Sequence, residues 1–189
     1  MSESAVCCLG YSLQPTKDSL GFPLPVLLRI AILVLNTPPF KPLDIFLSYS
    51  HLCLQNSTYL DFIPHFYERA KLGQLLSASP LSMALLTPNT PPWHPAPPEL
   101  RQAARDAAEG TWKERFPNLA IGYSMRHTLK AERSLPLVIG FTNLKEVHEC
   151  IKVWREIRDG DSADRVDNEE RAKEIFQKSG YYNWSWASP

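Results

Sequence analysis

Charge is scarce at the start of this chain. Only Glu3, Lys17, Asp18, Arg29, Lys41 and Asp44 are charged among the first sixty residues, whereas the last third is crowded with charge. The first segment therefore reads as an inner part of the fold and the last as a solvated outer layer. An excess of either sign is also lacking: 20 basic side chains face 20 acidic ones. A nucleic-acid groove or a basic membrane surface is not expected from such a balance. The four cysteines, Cys7, Cys8, Cys53 and Cys150, follow no zinc-ligand spacing, and the adjacent pair suits a structural disulfide poorly. They are read as free thiols in a reducing, cytoplasmic compartment. His51, His65, His94, His127 and His148 do not fall at metal-ligand spacing with one another or with cysteines and carboxylates. A long apolar run is missing too. Leu24 to Leu35 (LPVLLRIAILVL) is short of the roughly 20 apolar residues a bilayer requires, and Arg29 interrupts it. It lies too far in for a secretory leader, so a buried helix is expected. No internal repeat is visible.

What is present is an alternation of short apolar runs with longer amphipathic stretches. Residues 1–20 show no period and read as irregular. A helix over Leu24 to Leu35 stops at Thr37-Pro38-Pro39. A buried strand is expected over Asp44 to Tyr49, and a helix over Thr58 to Lys71, with Leu60, Ile63, Phe66 or Tyr67, and Ala70 on one face. Gly73 ends it. A second strand follows over Gln74 to Ser79. Leu86 to Pro98 is a proline-rich loop. Helices are expected over Glu99 to Ala108 and Leu119 to His127, then a third strand over Leu135 to Ile139. Leu144, Val147, Ile151, Trp154 and Ile157 recur at helical spacing. Asp159 to Asp167 reads as a charged linker, Glu169 to Lys178 as a last helix, and Tyr181 to Pro189 as an aromatic tail packing across the core wall. A further strand is anticipated around Ser19 to Phe22. Continuous apolar strands alternating with helices predict an α/β fold with a parallel sheet.

Four motifs stand in register. They are Leu47-Ser48-Tyr49-Ser50-His51, the run from Ser77 to Thr87 (SASPLSMALLT), Pro91 to Leu100 (PPWHPAPPEL), and Leu137-Val-Ile-Gly-Phe141. Together they resemble the aldo/keto reductases, on the branch of the L-galactose and D-arabinose 1-dehydrogenases. The resemblance runs from Gly21 to about Ile157. It implies a partial (β/α)8 TIM barrel: strands six to eight with their helices and a remnant of strand five at Gly21-Phe-Pro-Leu-Pro25. A whole barrel typically needs about 250 residues. Three segments follow from it: an unrelated leader over 1–20, the partial barrel over 21–158, and a linker, helix and tail over 159–189.

The resemblance also implies a dinucleotide, NAD or NADP, lying across the C-terminal mouth of the strands. Its wall would include Ser48, Ser79, Leu81, Met83, Gly140, Phe141, Thr142, Asn143 and Glu149, with Trp93 facing substrate. Backbone N–H groups and small hydroxyls suit a pyrophosphate, since short donors converge on it without crowding. By themselves, without the resemblance, Ser77 and Ser79 read as strand-end caps and Pro80 as a turn residue. Asn143 and Glu146 have the spacing of a capping box. Glu146 also stands where NADP-preferring members of the family commonly carry arginine, which points to NAD. Cys150 replaces a common asparagine beside Glu149, and Trp93 serves equally as a packing anchor.

The family's catalytic Asp, Tyr, Lys and His come from the first half of its barrel, so no catalytic residue is assigned. Tyr11, Lys17, Tyr49 and His51 offer no substitute set. Leu20 stands where the family's strand-five serine would hold the nicotinamide amide. A partial barrel leaves open edges and an uncovered apolar face, which implies a homodimer or a complementing chain. Three readings stay open: an aldo/keto-reductase fragment inactive alone, an oxidoreductase completed by another chain, and a non-enzymatic interaction module.

Overall fold

The computed structural model describes residues 6–7, 23–112, 115–160 and 162–185. Four strands form one sheet: β1 (Val6–Cys7), β2 (Ile45–Tyr49), β3 (Gln74–Ala78) and β4 (Leu137–Val138). They lie in chain order and every pairing is parallel. Six helices connect and follow them: α1 (Leu24–Leu35), α2 (Tyr59–Glu68), α3 (Pro98–Glu109), α4 (Phe116–Leu129), α5 (Leu144–Asp159) and α6 (Ala163–Lys178).

Parallel strands cannot be joined by tight turns, so each crossover carries a helix. Those helices cover one face of the sheet. Phe46 and Leu75 point into it and pack with Leu27 and Leu28 of α1 and Phe66 of α2. The Phe46 and Phe66 rings lie 4.6 Å apart. The alternate residues Ile45, Leu47, Tyr49, Leu76 and Ala78 project to the other face and are only half-buried. A second cluster joins α3, α4 and α6 through Leu100, Ala104, Phe116, Leu119, Ala172 and Phe176. A third holds α5 on α4 through Ile121, Met125, Cys150, Val153 and Ile157.

Several expectations change. Val6–Cys7 is a strand paired with Ile45 and Phe46, inside the leader read as irregular. The rest of that leader, and the strand anticipated at 19–22, lie outside the described residues. The third strand shrinks to Leu137–Val138, because Pro136 has no N–H for the ladder; its carbonyl still accepts from Ser77 N–H. The charged linker is shorter than expected. Ser162 caps a helix beginning at Ala163 by accepting from Arg165 N–H. The α2 helix ends at Glu68, with Lys71 in a left-handed conformation beyond it. The α1 helix is not buried all round: Leu24, Leu27, Leu28 and Ala31 are inside, but Val26 and Leu33 are exposed. On α5 the buried residues are Cys150, Val153 and Ile157, while Leu144, Ile151 and Trp154 face outward. The apolar set was legible, but its larger members serve a surface.

The aromatic tail lays Tyr181 and Tyr182 against the cluster formed by α3, α4 and α6. It is also tied to the loop after β2. Gln55 donates to the carbonyls of Tyr181 and Trp184, and its own carbonyl accepts from Asn183 N–H. Asn183 Oδ1 accepts from Ser57 N–H, and the Ser57 and Tyr182 hydroxyls lie 2.8 Å apart.

Candidate functional site

The C-terminal ends of parallel strands leave N–H groups and loops free to meet a ligand. Here β2, β3 and β4 bring three such ends side by side. The loop after β3 has an unusual backbone. Ser79 and the consecutive residues Ser82, Met83 and Ala84 all have positive φ. Non-glycine residues enter this left-handed region at roughly 1–2 kcal/mol each. The loop is pinned by Leu85 and Leu86, both fully buried, and by Leu86 N–H donating to Leu81 carbonyl. Ser79 Oγ accepts from Met83 N–H at 2.9 Å, and Ser79 carbonyl accepts from Ser82 N–H. Among the described residues the N–H groups of Leu81 and Ala84 have no acceptor. The serine thus acts as a cap within the turn, while neighbouring backbone donors stay available.

Ser48 turns to the helix-covered face, where its Oγ lies 2.9 Å from His51 Nδ1. Burial lowers the His51 pKa to about 4, so the ring is neutral at ordinary pH. Ser77 is also on that face, and its buried Oγ has no hydrogen-bond partner among the described residues. Trp93 is largely exposed and stacks beside His94. His94 is buried and bridges the loop: its Nε2 meets Ser82 carbonyl and its Nδ1 accepts from Ala96 N–H.

The α5 N-terminus is occupied by its own side chains. Asn143 Oδ1 accepts from Glu146 N–H. The Glu146 carboxylate accepts from Thr142 N–H, the Thr142 hydroxyl and the Asn143 amide. This differs from an ordinary capping box, in which the carboxylate returns to the N-cap N–H. The Thr142 backbone donor, followed by its hydroxyl, holds the Glu146 pKa below the usual carboxylate range. Gly140 and Phe141 are exposed just before it, and a Cβ on Gly140 would meet no atom within 4 Å. Glu149 is engaged by Lys152, which chiefly lowers its pKa.

Sequence reasoning missed the left-handed run at Ser82-Met83-Ala84. None of these residues signals positive φ, and a glycine there would have done so. It also missed the clip at Gln55. The polar run Gln55-Asn56-Ser57-Thr58 was its available signal, since Asn56 Oδ1 already accepts from Thr58 in a local turn. Among the described residues no group of three or more potential metal ligands occurs, and no helix is long and apolar enough to cross a membrane.

Fold and strand ends together define an α/β protein with a parallel sheet and a left-handed loop after β3. No family model matches the chain. Comparison with curated proteins nevertheless places it on the L-galactose and D-arabinose 1-dehydrogenase branch of the aldo/keto reductases over most of its length. It is 34% identical over 133 residues to an L-galactose dehydrogenase of Arabidopsis thaliana, covering 69% of this chain and 40% of that protein. It is 30% identical over 153 residues to a D-arabinose 1-dehydrogenase of Saccharomyces cerevisiae, covering 77% and 44%. The chain therefore matches about two fifths of the length of these relatives.

Proposed function

We propose that this chain forms the C-terminal strands of an aldo/keto-reductase-type barrel and offers one wall of a dinucleotide site, without a catalytic Asp, Tyr, Lys and His set of its own. The carrying observation is the loop after β3, where the Leu81 and Ala84 N–H groups stand without acceptors beside Ser79. These donors fit a pyrophosphate. The α5 end fits differently. Thr142, Asn143 and Glu146 satisfy one another, and the carboxylate would repel a 2′-phosphate. An unphosphorylated ribose beside Gly140 and Phe141 meets no such opposition, so NAD is favoured over NADP. Bound there, the nicotinamide would supply hydride transfer. This chain's residues contribute anchoring and selection at the dinucleotide end, and Trp93 offers an exposed ring toward substrate.

Calorimetry on the purified chain tests this reading. NAD is expected to bind, and NADP more weakly. The Glu146→Arg variant is expected to narrow or reverse that preference. No oxidation of L-galactose or D-arabinose is expected from the chain alone. Failure of a folded sample to bind either nucleotide would overturn the cofactor-wall reading, and turnover would overturn the non-catalytic one.

A further inference from the structure

The left-handed loop after β3 owes its shape to a side chain outside it. Ser82, Met83 and Ala84 follow one another at φ of 52°, 57° and 72°. No glycine relieves this run, so contacts must hold it. The peptide unit between Ser82 and Met83 is held at both ends. Its N–H donates to Ser79 Oγ at 2.9 Å, inside the loop. Its carbonyl lies 3.0 Å from Nε2 of His94, in the proline-rich strap that follows. The tautomer follows from the other ring nitrogen. Ala96 N–H donates to His94 Nδ1 at 3.0 Å, which leaves the ring proton on Nε2 to donate to Ser82. Burial chiefly holds the His94 pKa below its ordinary value, and the neutral ring is the form that both bonds need. The ring itself is fixed: His94 is 2% exposed. Arg101 of α3 donates to the carbonyls of Pro92, His94 and Ala96, and Ala96 and Leu100 are buried in the cluster of α3, α4 and α6. Four prolines between 91 and 97 restrict the strap before it folds.

We propose that His94 is the positioning residue of this loop. By holding the Ser82–Met83 peptide unit it sets the direction of the Leu81 and Ala84 N–H groups on either side, the two donors assigned above to a pyrophosphate. The link to a pyrophosphate rests on the dinucleotide reading; the hold on the loop stands without it. His94 touches no ligand in this scheme and acts through one backbone carbonyl. Ser82 carbonyl also accepts from Leu85 N–H, so the ring completes a carbonyl that anchors the buried end of the loop as well. Without the Nε2 donor that carbonyl loses its tie to the strap, and the left-handed residues beside it relax toward ordinary φ.

Three substitutions separate the roles of the ring. Asparagine reproduces Nδ1 as an acceptor for Ala96 N–H but ends short of Ser82. Glutamine carries an amide N–H to about the place of Nε2. Leucine fills the space and donates nothing. In the ligand-free full chain, His94→Asn and His94→Leu are expected to move the backbone chemical shifts of Ser82, Met83 and Ala84 away from left-handed values. Both should weaken NAD binding about tenfold, as the loss of one hydrogen bond would. His94→Gln should restore the shifts and the affinity. In the wild type, nitrogen NMR of the ring should show the proton on Nε2, slow to exchange at neutral pH. That readout needs no variant and decides the matter should the substitutions not fold. Left-handed shifts unchanged in His94→Asn, a leucine variant as good as glutamine, or a wild-type ring protonated on Nδ1 would overturn the positioning role. Shifts that move while NAD affinity stays would overturn the link to the two donors. A wild type that binds no NAD, with the shifts ranked as expected, would sink the dinucleotide reading and leave His94 as the residue that holds the loop.

Discussion

His51 shows how burial decides the behaviour of one side chain. It is held beside Ser48, and its carbonyl accepts from Tyr59 N–H. Desolvation takes its pKa from the ordinary 6.5 to about 4. The unfolded chain therefore binds a proton at this ring between pH 6.5 and 4 while the folded chain does not. Stability from this group is complete above pH 6.5 and is lost as the pH falls toward 4, by about 1 kcal/mol per pH unit. His127, depressed to about 4 by burial and then by Arg126 and nearby lysines, acts in the same direction with less weight because it is more exposed. The urea midpoint should drop from pH 7 to pH 5, and His51→Gln should flatten the dependence. An unchanged midpoint across that interval would contradict the assignment. Nothing in the sequence around His51 announces this; a lone histidine after an apolar run fits many environments.

At the scale of elements, α6 is docked by a buried cation. The Arg165 side chain is 2% exposed, donates to Asn118 carbonyl and Glu156, and lies over the Trp112 ring. It passes α4 at Gly122, where an added Cβ would stand 2.3 Å from Nη1. Arg126 and the fully buried Glu169 form a second ion pair between α4 and α6. Gly122→Ala must displace the guanidinium. Although alanine favours helix, the substitution should destabilise by about 1–3 kcal/mol, seen as a lower thermal midpoint. A midpoint equal to or above wild type would show that Arg165 moves aside freely. The α6 helix was only partly legible in sequence. Gly160 and the surrounding charges resemble a linker, while Ser162 as cap and Arg165 as a buried group become recognisable only when α4 and α5 are in place. The helices α1 and α3 were legible because proline and apolar spacing mark their limits locally.

Across the whole molecule, the parallel order of β2, β3 and β4 could be read from apolar runs separated by helical segments, because crossover topology is a consequence of chain connectivity. Two residues of β1 could not: Val6–Cys7 has no alternation to show, and its strand character exists only against Ile45 and Phe46. The candidate loop after β3 was located by motif, but its free donors follow from left-handed turns that its residue types do not signal. The tail clip joins distant parts of the chain in the same way. Gln55→Ala removes the donors to Tyr181 and Trp184 carbonyls and should cost about 1–3 kcal/mol. Faster amide exchange at residues 181–184 and in the loop at 55–57 would report it. Unchanged exchange there would mean that ring packing alone holds the tail.

That clip also bears on how the protein is made. Gln55 and Asn56 find their partners 126 to 129 residues later in the chain. At about 5–20 residues per second, translation leaves the loop after β2 without its permanent partners for several seconds. During that interval Gln55, buried in the finished fold, must remain hydrated or be held by a chaperone. The candidate ligand face is thus completed late in synthesis, once residues 181–185 have left the ribosome.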